Sequence, residues 1–249
     1  MSTYIDEQFV VRSVANGLNQ DSVAALHVNG YFHFHSPVFT SRQFSHLQDR
    51  FLDYLDIFGE EDLEGVHLRD GQVVGLLTSD SVMRCLVPLL GPNIGIFDSR
   101  FDFTPAFAGR ACRWRRGSTP VLTSEPDPEK MVTIWIAIER SFEANGAMVL
   151  KAGTHRDAKG AGFESAIGSI RREYKDVVMN LDPNECSFYS PYILQFHREN
   201  GSPYPRAGLS VTYFSTDIHL NIDDPRNGNV RPILALGRDI GGNRYVSLR

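Results

Sequence analysis

Two histidines one residue apart, His33 and His35, head the small set of side chains whose spacing could do chemistry in this 249-residue chain. On a strand they share a face, and His-x-His is a spacing by which two imidazoles can reach one metal. No acidic or cysteine partner stands near them in sequence, so strand histidines are expected rather than a metal pair. The run Arg113-Trp114-Arg115-Arg116-Gly117 concentrates guanidinium charge. Arg206 stands just before the apolar strand GLSVTYF, separated from it by Ala207, where its planar fork would suit a carboxylate grip or a core ion pair. His155, in Ala152-Gly153-Thr154-His155, is expected to hydrogen-bond backbone within a turn. His27, His46, His67 and His219 have no constellation around them, and no phosphate loop, nucleophile elbow or His-Glu-x-x-His occurs.

Charge and composition narrow the field further. The 25 basic and 30 acidic residues are spread along the chain, so no basic stripe offers itself to nucleic acid. No apolar stretch reaches the roughly 18 residues of a membrane span, and the first thirty residues lack the pattern of a signal peptide. A cytoplasmic protein without membrane or nucleic-acid partners is expected. Cys85, Cys112 and Cys186 lie far apart with no Cys-x-x-Cys spacing, which reads as buried thiols in a reducing compartment.

The elements that must position these residues fall into two halves. From Asp21, DSVAALHVNG reads as a helix with an aspartate N-cap, closed by Gly30. YFHFHSP, residues 31–37, then alternates as a strand, with Phe32 and Phe34 opposite His33 and His35. Thr40 and Gln43 form a capping box before Phe44, Leu47, Phe51 and Leu55, an amphipathic helix of about three turns or more. A further helix is expected over Asp80–Leu90, with Gly91 as its stop and Pro88 weakening its last turn. After Gly91 come β-branched and aromatic runs between turn signals: IGIFDSRFDF, STPVLT, MVTIWIAIE, AMVLKAG, CSFYSPYILQF and GLSVTYFS. Residues 161–178 read as a helix or a long loop. One domain over 1–249 is expected, with a helical part at about 1–90, a β-rich core at about 91–216 and a tail at 217–249.

Met131 to His155 resembles the phytanoyl-CoA dioxygenase family, in which a strand, an acidic turn, an Asn-Gly, another strand and a Pro-Gly-Ser-His-like turn follow one another. Glu143, Asn145 and Gly146 match the first turn; Ala152, Gly153, Thr154 and His155 stand at the second. LLGPNIGIFDSRFDF, NGYFHFHSPVFT and the stretch with Asn200, Ser202 and Arg206 extend the likeness over about residues 20–215. The resemblance implies a mainly β fold with flanking helices, a double-stranded β-helix of the jelly-roll, cupin-like kind. It also implies a facial triad of His-x-Asp and a distal His binding Fe(II), with 2-oxoglutarate as cosubstrate.

Carried onto this chain, the resemblance puts Arg115 at the first histidine and Gly117 at the aspartate. The distal histidine position falls on Gln195 without gaps, or on His197 with a two-residue deletion. A guanidinium has only N–H donors and glycine has no side chain, so neither can ligate iron. Some halogenases of this class also replace the aspartate by a small residue but keep both histidines, so the loss at Arg115 argues against halogenation here. Arg206 stands where the family's arginine holds the 2-oxoglutarate carboxylate, a vestigial site. The expectation is therefore no catalytic residue, no metal and no cofactor on this chain. It would be a catalytically silent subunit, forming a heterodimer with a triad-bearing homologue that carries Fe(II), 2-oxoglutarate and a terpenoid substrate in natural-product, fungal meroterpenoid, biosynthesis. The alternatives are a true enzyme, an isomerase or cyclase using the old cavity or an oxygenase with a metal site rebuilt on His197, and a small-molecule carrier. The tail VRPILALGRDIGGNRYVSLR would either dock on a partner or complete its own sheet.

Overall fold

The structure is a computed structural model and describes residues 17–247 apart from 61–62, 109–110, 118–126, 128, 159–173 and 225–229. Helix α1 (Gln20–Asn29) is capped by Asn19, whose side chain accepts the Ser22 N–H at 2.9 Å. The cap thus lies two residues before the expected Asp21, which sits in the first turn, where its charge suits the positive end of the helix. Gly30 ends the helix in the left-handed region at φ 79°. β1 (Tyr31–Phe34) follows, shorter than the expected 31–37.

Helix α2 (Ser41–Phe58) carries the Thr40–Gln43 capping box and buries Leu47, Phe51 and Tyr54. Two helices escaped the sequence reading, α3 (Val66–Arg69) and α4 (Gly71–Leu77). Between them Asp70 accepts the N–H groups of Gln72 and Val73 and, at 2.7 Å, the Arg50 guanidinium of α2. Helix α5 (Asp80–Leu90) runs through Pro88 to Gly91.

The remaining strands are β2 (Ile94–Thr104), β3 (Arg115–Arg116), β4 (Met131–Ala137), β5 (Met148–Lys151), β6 (Asp176–Val178), β7 (Cys186–Tyr189), β8 (Leu194–His197), β9 (Arg206–Ser215) and β10 (Ile233–Leu236). They form a six-stranded sheet ordered β1-β7-β4-β9-β2-β10 and a four-stranded sheet ordered β3-β8-β5-β6. From β2 to β9 the chain winds between the two sheets, and this antiparallel winding is a double-stranded β-helix. CSFYSPYILQF yields two strands, β7 and β8, one in each sheet. The expected strand STPVLT and most of the segment 161–178 lie outside the described residues. The end of that segment is strand β6, not helix or loop. The tail adds β10 to the edge of its own sheet beside β2. Tyr245 stacks on Phe214.

The helices pack on the outer face of the larger sheet, where Phe32, Phe34, Ile134, Ile136, Leu209 and Val211 meet Leu47, Val73, Leu77 and Leu86. From Arg206 to Tyr213, Gly208 apart, β9 alternates outward apolar residues with inward Arg206, Ser210 and Thr212, as a strand between a core and a cavity must. β2 reaches the same phase through an irregularity in its pairing with β9 between Ile96 and Asp98. The extra residue reverses the alternation, so Ile96 packs in the core while Arg100 and Asp102 turn into the barrel.

Candidate functional site

Strands β3 and β8 bring the sequence-derived site residues together. Arg115 pairs directly with Gln195, so their side chains leave the same face of the smaller sheet. A Cβ built on Gly117 would lie 3.3 Å from Gln195 Nε2 and 3.1 Å from the Pro191 carbonyl oxygen. Gln195 therefore crowds the side of Gly117, and its own Oε1 is buried without a hydrogen-bond partner. His197, two residues along the same strand, opens onto a cavity of about 440 Å³ that Arg115 and Arg206 also line.

The opposite wall belongs to β2, β4 and β9. Arg100 Nε donates to Asp102 Oδ1 at 2.8 Å, and Trp135 Nε1 donates to Asp102 Oδ2 at 3.0 Å. The Trp135 indole lies across Gly208, where a Cβ would run into the ring. Arg206 donates to Thr104 Oγ1 at 2.9 Å, and its Cζ stands 5.9 Å from the Trp135 ring centre. Arg206 is 4% exposed and its Nε is buried with no partner. It forms no ion pair within contact distance among the described residues, so the core ion pair weighed from sequence is not what holds it.

Burial and charge set the protonation of this wall. Burial pushes the Asp102 carboxyl up, but the Arg100 charge, with His197, Arg206 and the Trp135 N–H, outweighs it and keeps the carboxyl below its ordinary value. His197 is driven down to about 3 by burial, with Arg206 adding to the shift and Asp102 opposing it. Its imidazole is neutral at neutral pH, and Nδ1 is buried without a partner. Burial lowers Arg206, and the Asp102 charge partly restores it.

No three His, Cys, Asp or Glu side chains among the described residues are grouped to hold a metal ion. The side chains expected at the triad positions, a guanidinium at Arg115, none at Gly117 and either Gln195 or His197, include at most one imidazole and no carboxylate, a set that does not fit Fe(II). Arg206, which lines the cavity and has one nitrogen, Nε, without a partner, does suit a carboxylate.

The other histidines find structural partners. His33 Nδ1 meets Ser187 Oγ at 3.0 Å and His35 Nδ1 meets Glu185 at 2.9 Å, so the His-x-His pair is split between two strand neighbours. His155 Nε2 donates to the His27 carbonyl at 3.0 Å, the backbone bond expected of its turn. Sequence reading missed the Arg100–Asp102–Trp135 network, and it misassigned one thiol. Cys85 and Cys186 are buried, but Cys112 is only half-buried and lines the cavity.

No protein-family model matches the chain, and no curated protein matches it. Solved structures do. The chain shares its double-stranded β-helix fold with the following structures. A non-heme monooxygenase, ThoJ in complex with nickel, matches at 18% identity and TM-score 0.71, over 92% of this chain and 89% of that one. The non-heme alpha-ketoglutarate-dependent carbocyclase SnoK from nogalamycin biosynthesis matches at 14% and 0.69, over 83% and 88%. EctD from S. alaskensis with bound Fe matches at 16% and 0.69, over 91% and 82%. No single helix among the described residues is long and apolar enough to cross a membrane.

Proposed function

We propose that this chain is a catalytically silent subunit of the phytanoyl-CoA dioxygenase type that pairs with a triad-bearing homologue in natural-product biosynthesis. One observation carries the reading: the cavity keeps Arg206, suited to a carboxylate, while Arg115 and Gly117 supply no iron donor and Gln195 or His197 leaves at most one imidazole. Fe(II), 2-oxoglutarate and the terpenoid substrate then belong to the partner. SnoK comes from nogalamycin biosynthesis, which agrees with a natural-product role for a chain of the same fold. Large exposed side chains beside the cavity supply material for an interface. Phe107 is 71% exposed and Tyr204 63%, on the segments that continue from the cavity residues Thr104 and Arg206.

The test mixes the full chain with Fe(II), 2-oxoglutarate and ascorbate, alone and with the homologue encoded beside it. Succinate release together with co-elution, both requiring the pair, is expected. Succinate release by this chain alone overturns the reading; a second reading, an isomerase or cyclase working in the same cavity, needs no succinate. Arg115 supports that alternative, because it lines the cavity with no carboxylate within ion-pair distance among the described residues and could steer an anionic substrate.

A further inference from the structure

The geometry points to Cys112 as an anion-selective reactive thiol, a site for covalent capture of small carboxylates that carry an electrophilic carbon. Cys112 is fixed at the cavity wall from both sides: its N–H donates to the His197 carbonyl at 2.9 Å, and its Sγ accepts the His197 N–H at 3.0 Å. It lies on the same 440 Å³ cavity as Arg206, whose Nε is buried without a partner, and as Arg115. Two independent features therefore meet at one cavity, a half-buried thiol and a buried arginine whose Nε has no hydrogen-bond partner.

The charge balance of that space favours an incoming anion. Asp102, the buried carboxylate, already accepts from Arg100 and Trp135. Arg198 is held by Glu143 at 3.3 Å. Glu60, Glu64 and Arg115 also line the cavity at its exposed rim, where water screens all three. Arg206 is left as the buried cation to meet a carboxylate, and its charge raises the local concentration of small anions. The remaining thiols cannot compete: burial raises Cys85 to about 12 and lifts Cys186 as well. The inference does not depend on whether a partner subunit exists.

Iodoacetate and iodoacetamide probe it, since they deliver the same chemistry with and without a carboxylate. In each, Cys112 Sγ bonds to the methylene carbon, the C–I bond breaks, iodide leaves with the electron pair and the thiol proton passes to solvent. The full native chain is alkylated in parallel with N-acetylcysteine, and the modified residue is mapped by peptide mass spectrometry. The iodoacetate-to-iodoacetamide rate ratio at Cys112 is expected to exceed that of the free thiol by about tenfold. Arg206→Gln is expected to lower the ratio severalfold, and Arg115→Gln, which changes an exposed side chain, is tested beside it. A native ratio equal to that of N-acetylcysteine overturns the proposal, as does a ratio that neither variant changes or modification confined to Cys85 and Cys186.

Discussion

Gln195 Nε2 stands 3.3 Å from the point where a side chain on Gly117 would begin, and Gln195 is itself the direct strand partner of Arg115. Gln195, remote in sequence, therefore joins Arg115 and Gly117 in one cluster, and the cluster should be convertible. Changing Arg115→His, Gly117→Asp and Gln195→His together replaces three non-ligands by two imidazoles and a carboxylate. Thermal unfolding with Ni(II) or Fe(II) should leave the native chain unmoved and stabilise the triple variant, by about 2.7 kcal/mol at a metal concentration 100-fold above Kd. An equal metal shift in the native chain would mean that it already holds a metal.

Asp102 is the anion that neutralises the buried wall of the cavity, and Asp102→Asn keeps its shape while removing its charge. The Arg100 and Asp102 side chains are 25% and 16% exposed. Stability should therefore fall by about 2–3 kcal/mol, short of the cost of orphaning a charge in a dry core. The sign with pH follows from the depressed carboxyl. Its stabilisation is present above the ordinary value of about 3.9 and is lost as pH falls through the lower folded value. Denaturant unfolding of both proteins should give a gap that is constant above about pH 4 and narrows below it. A gap that persists into strong acid would show that Asp102 acts through shape alone.

What the sequence made legible was local. Gly30 and Gly91 as stops, the Thr40–Gln43 box and the alternation of β1 all depend on neighbours within a turn. Helix α4 was hidden because Gly71 and Gly75 dilute its pattern, although Asp70 before Val73 and Val74 was a readable cap signal. The Arg100–Asp102–Trp135 network was not legible. It needs the pairing irregularity after Ile96 to turn β2 inward and Gly208 to admit the indole, both consequences of strands that meet only in the closed barrel. Cys112 likewise becomes a cavity residue only because its strand neighbour is His197.

His155 ties the turn after β5 to the end of α1, where a Cβ on Gly30 would collide with its ring. Burial first, then Arg156 and other nearby charge, outweighs the His27 carbonyl bond and takes the imidazole down to about 4. The unfolded chain binds the proton near pH 6.5, so the stabilisation is complete above that value and drains away as pH falls toward 4. His155→Gln should reduce the slope of stability against pH between 6 and 4.5 by up to about 1.4 kcal/mol per pH unit. An unchanged slope would mean that the ring is already charged in the folded protein.

Phe107 holds a backbone conformation that an aromatic residue rarely adopts, φ 53°, while leaving its ring in solvent. Its N–H donates to the Ser202 carbonyl at 3.0 Å, which locks the segment before β3 to the loop carrying Tyr204. Strain of this kind persists where the surroundings over-determine it, and an exposed ring beside a cavity gains nothing from it in the isolated chain. A partner surface would supply the gain. Phe107→Gly should therefore act in opposite directions on two measurements. Relief of the left-handed backbone should stabilise the chain alone by about 1 kcal/mol in thermal unfolding. Loss of an anchoring aromatic should weaken association with the triad-bearing homologue at least about fivefold in titration calorimetry. Unchanged affinity would remove Phe107 from the interface, and a fall in the chain's own stability would show that the ring packs within this subunit.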